Sequence, residues 1–172
     1  HHAFRILRGV KNRFGSTNEI GVFEMQEQGL VEVLNPSEIF LAERPIGVTG
    51  SVVVPCIEGT RPILLEIQSL VSPTSFGNPR RLTTGLDLSR LLLMVAVMEK
   101  KLGFVLGNQD VYLNIAGGVR IDEPATDLGI CMAIASSIRN QVFPPELLVV
   151  GEVGLTGEVR AVSQIEKRLQ EA

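Results

Sequence analysis

The junction between a predicted strand and a predicted helix, within residues 111–140, holds the residues best suited to chemistry. Residues 111–116 alternate between apolar side chains and polar or small ones, which predicts a strand with one buried face. Gly117 and Gly118 end this strand, and apolar residues at helical spacing follow Pro124. The free N–H groups and the dipole at such a helix start can bind an anion or stabilise a developing oxyanion.

Several interpretations of this junction are open from the residues alone. A phosphate-binding loop needs the pattern Gly-x-x-x-x-Gly-Lys-Ser/Thr, which the sequence does not contain. A nucleophile needs Ser or Cys at the turn, where the sequence has Ala125. Periodicity by itself favours a capped core helix, with Thr126 or Asp127 as the N-cap residue. A plain ligand-binding domain that uses the helix start near Thr126 is a further alternative.

The junction resembles the proteolytic domain of Lon proteases. In that family a similar strand and glycines lead to Gly-Pro-Ser-Ala-Gly, which carries the nucleophilic serine, and the matching run here is Glu-Pro-Ala-Thr-Asp at residues 123–127. The serine position is therefore Ala125. Residues 151–160 resemble the segment that leads to the catalytic lysine, whose position falls on Glu166. The resemblance implies an α+β fold of the Lon proteolytic type, a two-layer arrangement of the ribosomal-protein kind, over residues 46–172.

The absence of both dyad residues implies a pseudo-protease with no catalytic residue in this chain. A methyl group cannot attack a carbonyl, and a carboxylate cannot replace the desolvated amine that activates a serine. Ser163 and Glu166 instead fit a capping box, with Ser163 as the N-cap of the last helix. The alternative is an active Lon-type serine peptidase with a displaced nucleophile, for which Ser136 and Ser137 are available.

A basic and aromatic cluster near the start of the chain reads Lys11-Asn12-Arg13-Phe14-Gly15. Lys11 and Arg13 could pair with phosphates while Phe14 stacks on a base. On the residues alone, a solvated turn with Phe14 tucked into the core is favoured, because a cluster of this size is a weak signal.

The same five residues form the motif typical of the RadA (Sms) family of bacterial recombination proteins, which end in a Lon-like domain without the protease dyad. The motif and the Lon-like domain thus occur in the order expected of this family. The resemblance covers the chain from Phe4 onward. The resemblance implies that residues 3–45 are a remnant of a RecA-type ATPase core. Their predicted hairpin, residues 20–34, has lost its sheet, so we expect it to be frayed, repacked or paired with another copy.

For the longer protein, the resemblance implies a DNA-dependent ATPase that uses ATP and magnesium, holds zinc, forms homohexameric rings on DNA and promotes branch migration in DNA repair. This chain lacks the ATP-binding loop, so it is expected to hold no cofactor and to hydrolyse no ATP. What the resemblance leaves for it is a scaffold role within the ring. Contact with DNA, and with recombinase filament proteins, is compatible with that role.

Residues 72–84 contain two prolines, one glycine and the pair Arg80 and Arg81, and they are predicted to be a long irregular loop. Loops of this length in a compact domain are often functional. The candidate DNA-binding residues are therefore Lys11, Arg13, Arg80 and Arg81.

Composition and charge limit the function classes. The 172 residues carry a net charge of −3 with 45% hydrophobic side chains, which predicts a folded globular protein and argues against a generally basic nucleic-acid binder. Residues 1–14 nevertheless carry the cations Arg5, Arg8, Lys11 and Arg13 and no acid, which permits a local phosphate-binding patch.

The sequence predicts neither a membrane span nor a metal site. The longest apolar run, residues 91–98, is too short to cross a bilayer. Cys56 and Cys131 are isolated and predicted to be buried free thiols, and no Cys/His spacing for zinc occurs. A reducing, cytoplasmic setting is therefore expected.

Periodicity predicts the remaining elements. Asn35, Pro36 and Glu38 suit the cap, the first turn and the third position of a short helix. In residues 63–71 the alternation of apolar side chains with Glu66 and Gln68 predicts a strand with one solvent-exposed face. Further elements are predicted at residues 48–55, 87–102, 147–153, 159–162 and 163–172.

Overall fold

The computed structural model describes residues 4–10, 13–14 and 20–172, which form a mixed α/β fold. The elements in chain order are β1 (Phe4–Arg8), β2 (Ile20–Gln26), β3 (Gly29–Glu32), α1 (Pro36–Ala42), β4 (Ser51–Glu58), β5 (Arg61–Pro73), β6 (Arg81–Thr84), α2 (Leu88–Leu102), β7 (Gln109–Ile115), a 3₁₀ turn (Pro124–Thr126), α3 (Asp127–Arg139), β8 (Glu152–Val153), β9 (Val159–Arg160) and α4 (Ile165–Glu171). The mixed α/β class is confirmed, whereas the likeness to the Lon proteolytic domain stays a prediction.

A four-stranded sheet in the order β4-β5-β7-β6 is the centre of the fold. β4, β5 and β7 pair antiparallel, and β6 joins β7 in parallel. Helices α2 and α3 cover one face, and the side chains buried between sheet and helices include Leu65, Ile67 and Leu113. Gly129 lets α3 approach closely, because an added Cβ would lie 2.3 Å from Val54 Cγ1. Within the junction, β7 is thus held by strand pairing in the sheet, and α3 is held by close packing against the sheet.

The second face of the sheet is partly covered by α1. A three-stranded sheet in the order β1-β2-β3 contributes to the same hydrophobic core. Phe4 and Phe40 meet edge to face with ring centroids 4.8 Å apart, and both join the main hydrophobic core together with Val22. The hairpin predicted at residues 20–34 is therefore repacked, and it gains a partner strand from residues 4–8.

The prediction of a solvent-exposed face along β5 is wrong at Glu66. This side chain is 2% exposed, and its carboxylate accepts a hydrogen bond of 2.5 Å from the Ser51 hydroxyl. The burial follows from α1, which packs on the same face and whose Ser37 hydroxyl accepts the Leu64 amide at 2.9 Å. Gln68, two residues further along, is half-buried, so the cover ends there.

The prediction of a long irregular loop over residues 72–84 is also wrong, at both ends of the range. β5 continues to Pro73, and Arg81–Thr84 form β6. The parallel ladder with β7 supplies the backbone partners that make residues 81–84 a strand, and the pattern of prolines and arginines does not reveal this ladder. The irregular part is therefore residues 74–80.

The helix ends agree with the sequence in two cases and differ in a third. Asn35 caps α1, and Gly103 ends α2 in the left-handed region at φ 71°. The capping box of Ser163 and Glu166 is wrong, because α4 begins after Gln164, which has φ 54°. This left-handed residue shifts the helix start by one position and removes Ser163 from the cap.

Candidate functional site: a strand-to-helix junction closed by two ion pairs

The junction after β7 is closed by the chain segment at Gly151. The Leu128 amide donates to the Gly151 carbonyl, and the Gly151 amide donates to the Ala125 carbonyl, both at 3.0 Å. Ala125 itself is buried. Thr126 is the N-cap residue of α3, but its hydroxyl donates to the Glu123 carbonyl at 2.7 Å rather than accepting from the helix. The helix start is thus partly satisfied by the protein itself, which weakens the ligand-binding alternative near Thr126.

A buried ion pair joins the two segments that carry the candidate dyad positions. Arg168 is 1% exposed and pairs with Glu123. The Arg168 guanidinium also donates to the Pro55 carbonyl at 2.9 Å and to the Ser163 carbonyl at 2.8 Å. The second carboxylate oxygen of Glu123 accepts the Ile57 amide at 3.0 Å. The pair therefore ties α4, β4 and the approach to α3 together.

The pair lies two residues from Ala125 on one segment and two residues from Glu166 on the other. Ala125 offers a buried methyl group, and Glu166 is exposed on α4. A charged, hydrogen-bonded structural pair thus joins these segments, and neither candidate position presents an activated nucleophile or an amine.

A second ion pair fixes the first turn of α3. Asp127 is fully buried and receives two hydrogen bonds from the Arg90 guanidinium, one of them 2.6 Å long. Its carboxylate also accepts the Val153 amide at 3.0 Å. The side-chain hydrogen bonds to Asp127 raise the pKa of Arg90. α2, α3 and β8 are therefore fastened at one point.

The two thiols are free and buried, as predicted. Burial, reinforced by Glu123, raises the pKa of Cys56 well above its usual range, although Arg168 opposes this shift. Burial, with a smaller contribution from Asp127, raises the pKa of Cys131 to about 12. Both thiols thus stay protonated near neutral pH and neither has the thiolate character of a nucleophile.

The serines of the peptidase alternative both serve as hydrogen-bond acceptors for backbone amides. The buried Ser136 hydroxyl accepts the Gly50 amide at 2.8 Å and donates to the Gln141 carbonyl at 2.5 Å. The Ser137 hydroxyl accepts the Val71 amide at 3.0 Å. Both hydroxyls therefore have structural roles, which disfavours a displaced nucleophile.

Substitution of Ser136 by alanine tests this structural role. We expect Ser136→Ala to lower the free energy of unfolding by about 1–3 kcal/mol, because the Gly50 amide loses a buried acceptor. We expect the exposed Ser75→Ala to change it by less than about 0.5 kcal/mol. Chemical denaturation measures both. A fluorophosphonate probe should leave the native protein unlabelled, and labelling at Ser136 or Ser137 would instead support the peptidase.

The candidate DNA-binding residues differ in availability. Arg80 is exposed, whereas the Arg81 guanidinium donates to the carbonyls of Gln109 and Leu106, the latter at 2.8 Å. Arg81 is thus held by the first residue of β7 and by the loop that precedes this strand. Arg13 lies 5.7 Å from the centroid of the Phe14 ring.

Of the Lys-Asn-Arg-Phe-Gly motif, the structure describes Arg13 and Phe14. Phe14 is exposed rather than packed in the core. Lys11, Asn12 and Gly15 lie outside the described residues, so their predicted role stays a prediction.

Sequence reasoning missed the residues that hold the junction. Arg90 and Arg168 sit in ordinary polar positions of the sequence and match no motif, and Glu123 opens the Lon-like run at residues 123–127 without any sign of its partner. The sequence carries a weak signal for Asp127, because an acidic residue at a predicted helix start is a candidate N-cap. Its actual partners, Arg90 and Val153, come from other elements and are not adjacent in the sequence.

Among the described residues, no group of three His, Cys, Asp or Glu side chains is placed to hold a metal ion. No helix in the same part of the chain has both the length and the apolar character needed to cross a bilayer.

The fold and the junction define a mixed α/β domain whose strand-to-helix turn is fastened by ion pairs. No protein-family model matches the chain. Over all 172 residues it is 64% identical to the proteins named DNA repair protein RadA from Halalkalibacterium halodurans and Bacillus subtilis, and 62% identical to that from Streptococcus pneumoniae. The chain belongs to the RadA family, as its sequence predicted, and matches the C-terminal region of these proteins. It spans 38% of the length of the first two relatives and 41% of the third.

Proposed function

We propose that this chain is the non-catalytic C-terminal region of a DNA repair protein. Its α/β domain acts as a Lon-type pseudo-protease that supports assembly into a homohexameric ring and contacts DNA during branch migration. ATP, magnesium and zinc would belong to the remainder of the longer protein. The names of the relatives support the repair role, and the junction supports the non-catalytic role.

The observation that carries the proposal is the inert character of the junction. Ala125 and Glu166 stand where the resemblance expects a serine and a lysine. The neighbouring Glu123 and Arg168 fasten the same two segments as a buried pair. A framework that keeps its shape while its reactive positions hold unreactive groups suits a scaffold.

An open part of the central sheet is a suitable assembly surface. Leu70 and Leu82 are both directly opposite Tyr112 in the sheet, one on each side, and they are 62% and 56% exposed. The polar neighbours in this shallow depression, Gln68 and Asn114, carry no charge. The same face is covered further along by α1. We assign the open part to a second copy of the chain, because an uncharged apolar row continuous with a packed surface suits protein contact.

Polar substitution of this row tests the assembly role. We expect the native chain to associate as its concentration rises, and Leu70→Ser with Leu82→Ser to weaken association about tenfold or more, because the apolar contact area is lost. Sedimentation velocity over a range of concentrations measures this. The matched control is Leu155→Ser, at an exposed leucine in the turn between β8 and β9, which should leave association unchanged.

Two results would reject the scaffold role. One is a native chain that stays monomeric at high concentration, and the other is a longer family protein that keeps its ring when this region is deleted. If the chain associates but the double variant associates equally well, the scaffold role stands and the surface is wrong.

A further inference from the structure

The loop between β5 and β6, residues 74–80, is anchored at both of its ends by one carboxylate. Asp110 accepts the Thr74 hydroxyl at 3.0 Å and the Arg80 amide at 2.7 Å. The Thr74 amide donates to the Asn108 carbonyl, and the Arg80 carbonyl accepts the Val111 amide, both at 2.9 Å. The loop is therefore pinned to the start of β7.

An aromatic ring stands at the tip of this anchored loop. Phe76 is 93% exposed. It is followed by Gly77, in the left-handed region at φ 72°, where glycine allows the sharp turn. The flanking Ser75 and Asn78 are small or polar and exposed, so they do not extend an apolar patch around the ring. A ring isolated in this way suits a flat partner that it can stack on rather than a broad apolar surface.

The two arginines of this segment outnumber the one carboxylate that anchors the loop, Asp110, so these groups together are positive although the chain as a whole is acidic. Residues 67–86 contain Arg80 and Arg81 and no acidic residue. The guanidinium of Arg81 is held by carbonyl groups, whereas Arg80 is exposed. One exposed cation thus accompanies one exposed ring on a pinned loop. This pair of groups matches the ring-and-cation chemistry with which proteins bind single strands.

We propose that Phe76 stacks on an unpaired DNA base while Arg80 contacts a neighbouring phosphate. This inference rests on the proposed DNA contact and specifies its ligand as a single-stranded segment. A stacked pair inside an intact duplex offers its bases only by their edges, whereas an unpaired base exposes its face. The loop therefore reads the unpaired state of DNA and not its sequence.

A single fluorophore can report the stacking directly, because the chain contains no tryptophan. We expect Phe76→Trp to bind a mixed-sequence single-stranded oligonucleotide, with quenching of the indole emission as the base stacks. The same variant should show little quenching with the fully paired duplex of that sequence. Equal quenching by both, or quenching by neither while the oligonucleotide is bound, would overturn the inference.

Salt dependence separates the ring from the cation. We expect Phe76→Leu to lose affinity for the single strand about tenfold with an unchanged slope of log affinity against log salt, because stacking involves no counterions. Arg80→Ala should reduce the steepness of that slope by about 0.7, the value for one phosphate contact on a single strand. Phe76→Tyr, which keeps the ring, is the matched control and should bind like the native chain. Fluorescence anisotropy measures all four.

The outcomes distinguish this inference from the proposed function. If the native chain binds no DNA at low salt, the DNA contact itself fails. If it binds DNA and Phe76→Leu binds equally well, the contact stands and Phe76 has no part in it. A blue shift of the indole emission of Phe76→Trp as protein concentration rises, without DNA, would show that the ring joins protein copies and would overturn the inference.

Discussion

Replacement of Arg168 by methionine is expected to lower the free energy of unfolding by about 3–5 kcal/mol, the cost of breaking a buried ion pair from one side. Methionine approximates the length of the side chain but donates no hydrogen bond. The Glu123 carboxylate then loses its cation, and the carbonyls of Pro55 and Ser163 lose their donors. Denaturant unfolding at neutral pH measures the loss.

The neighbouring residue supplies the control for this prediction. Lys167 is exposed on α4, and Lys167→Met should change the unfolding free energy by no more than about 0.5 kcal/mol. If the two substitutions cost the same, the Glu123–Arg168 pair does not stabilise the junction. The interpretation of the two segments as a structural framework would then lose its physical basis.

Loss of Arg90 should have an effect of similar size at the other end of the junction. We expect Arg90→Met to cost about 3 kcal/mol, because the Asp127 carboxylate is fully buried and would keep only the Val153 amide as its described partner. Hydrogen exchange should show faster opening of the first turn of α3 and of β8, which the carboxylate links.

A double substitution tests whether the unpaired charge of the Asp127 carboxylate causes the loss of stability in Arg90→Met. Adding Asp127→Asn to Arg90→Met removes the unpaired buried charge while keeping an acceptor, so the double variant should be more stable than Arg90→Met alone. Ser89→Ala, on an exposed position of α2 beside Arg90, controls for helix propensity. A double variant that is less stable than Arg90→Met would show that the amide cannot replace the carboxylate, and would argue against charge burial as the cause.

These stability effects bear on function through the assembly surface. The two ion pairs fasten α2 to α3 and β8, and α4 to the approach to α3 and to β4, a strand of the sheet that presents Leu70, Leu82 and Tyr112. A variant that loosens the junction without unfolding the chain should therefore weaken association less than a direct change to the apolar row. Comparing how strongly each kind of variant weakens association therefore distinguishes a framework role of the junction from the contact role of the apolar row.

Much of the local structure followed from the sequence. The alternation before Gly117 and the helical spacing after Pro124 located the junction, and Asn35 and Gly103 located two helix ends. These features depend on neighbouring residues and on backbone preferences, which act over a few positions. The motif at residues 11–15 and the Lon-like run at 123–127 indicated the RadA family for the same reason, since they are short and contiguous.

The tertiary structure decided which polar groups are buried and which apolar group is exposed. Glu66 was expected in solvent and lies under α1, and Arg168 is buried although its partners Pro55 and Glu123 are 113 and 45 residues away in the chain. Phe76 is exposed in a loop whose two ends are anchored by Asp110, from another strand. Burial of a charge depends on partners brought together only by folding, so periodicity located the elements and the assembled core assigned the roles of these side chains.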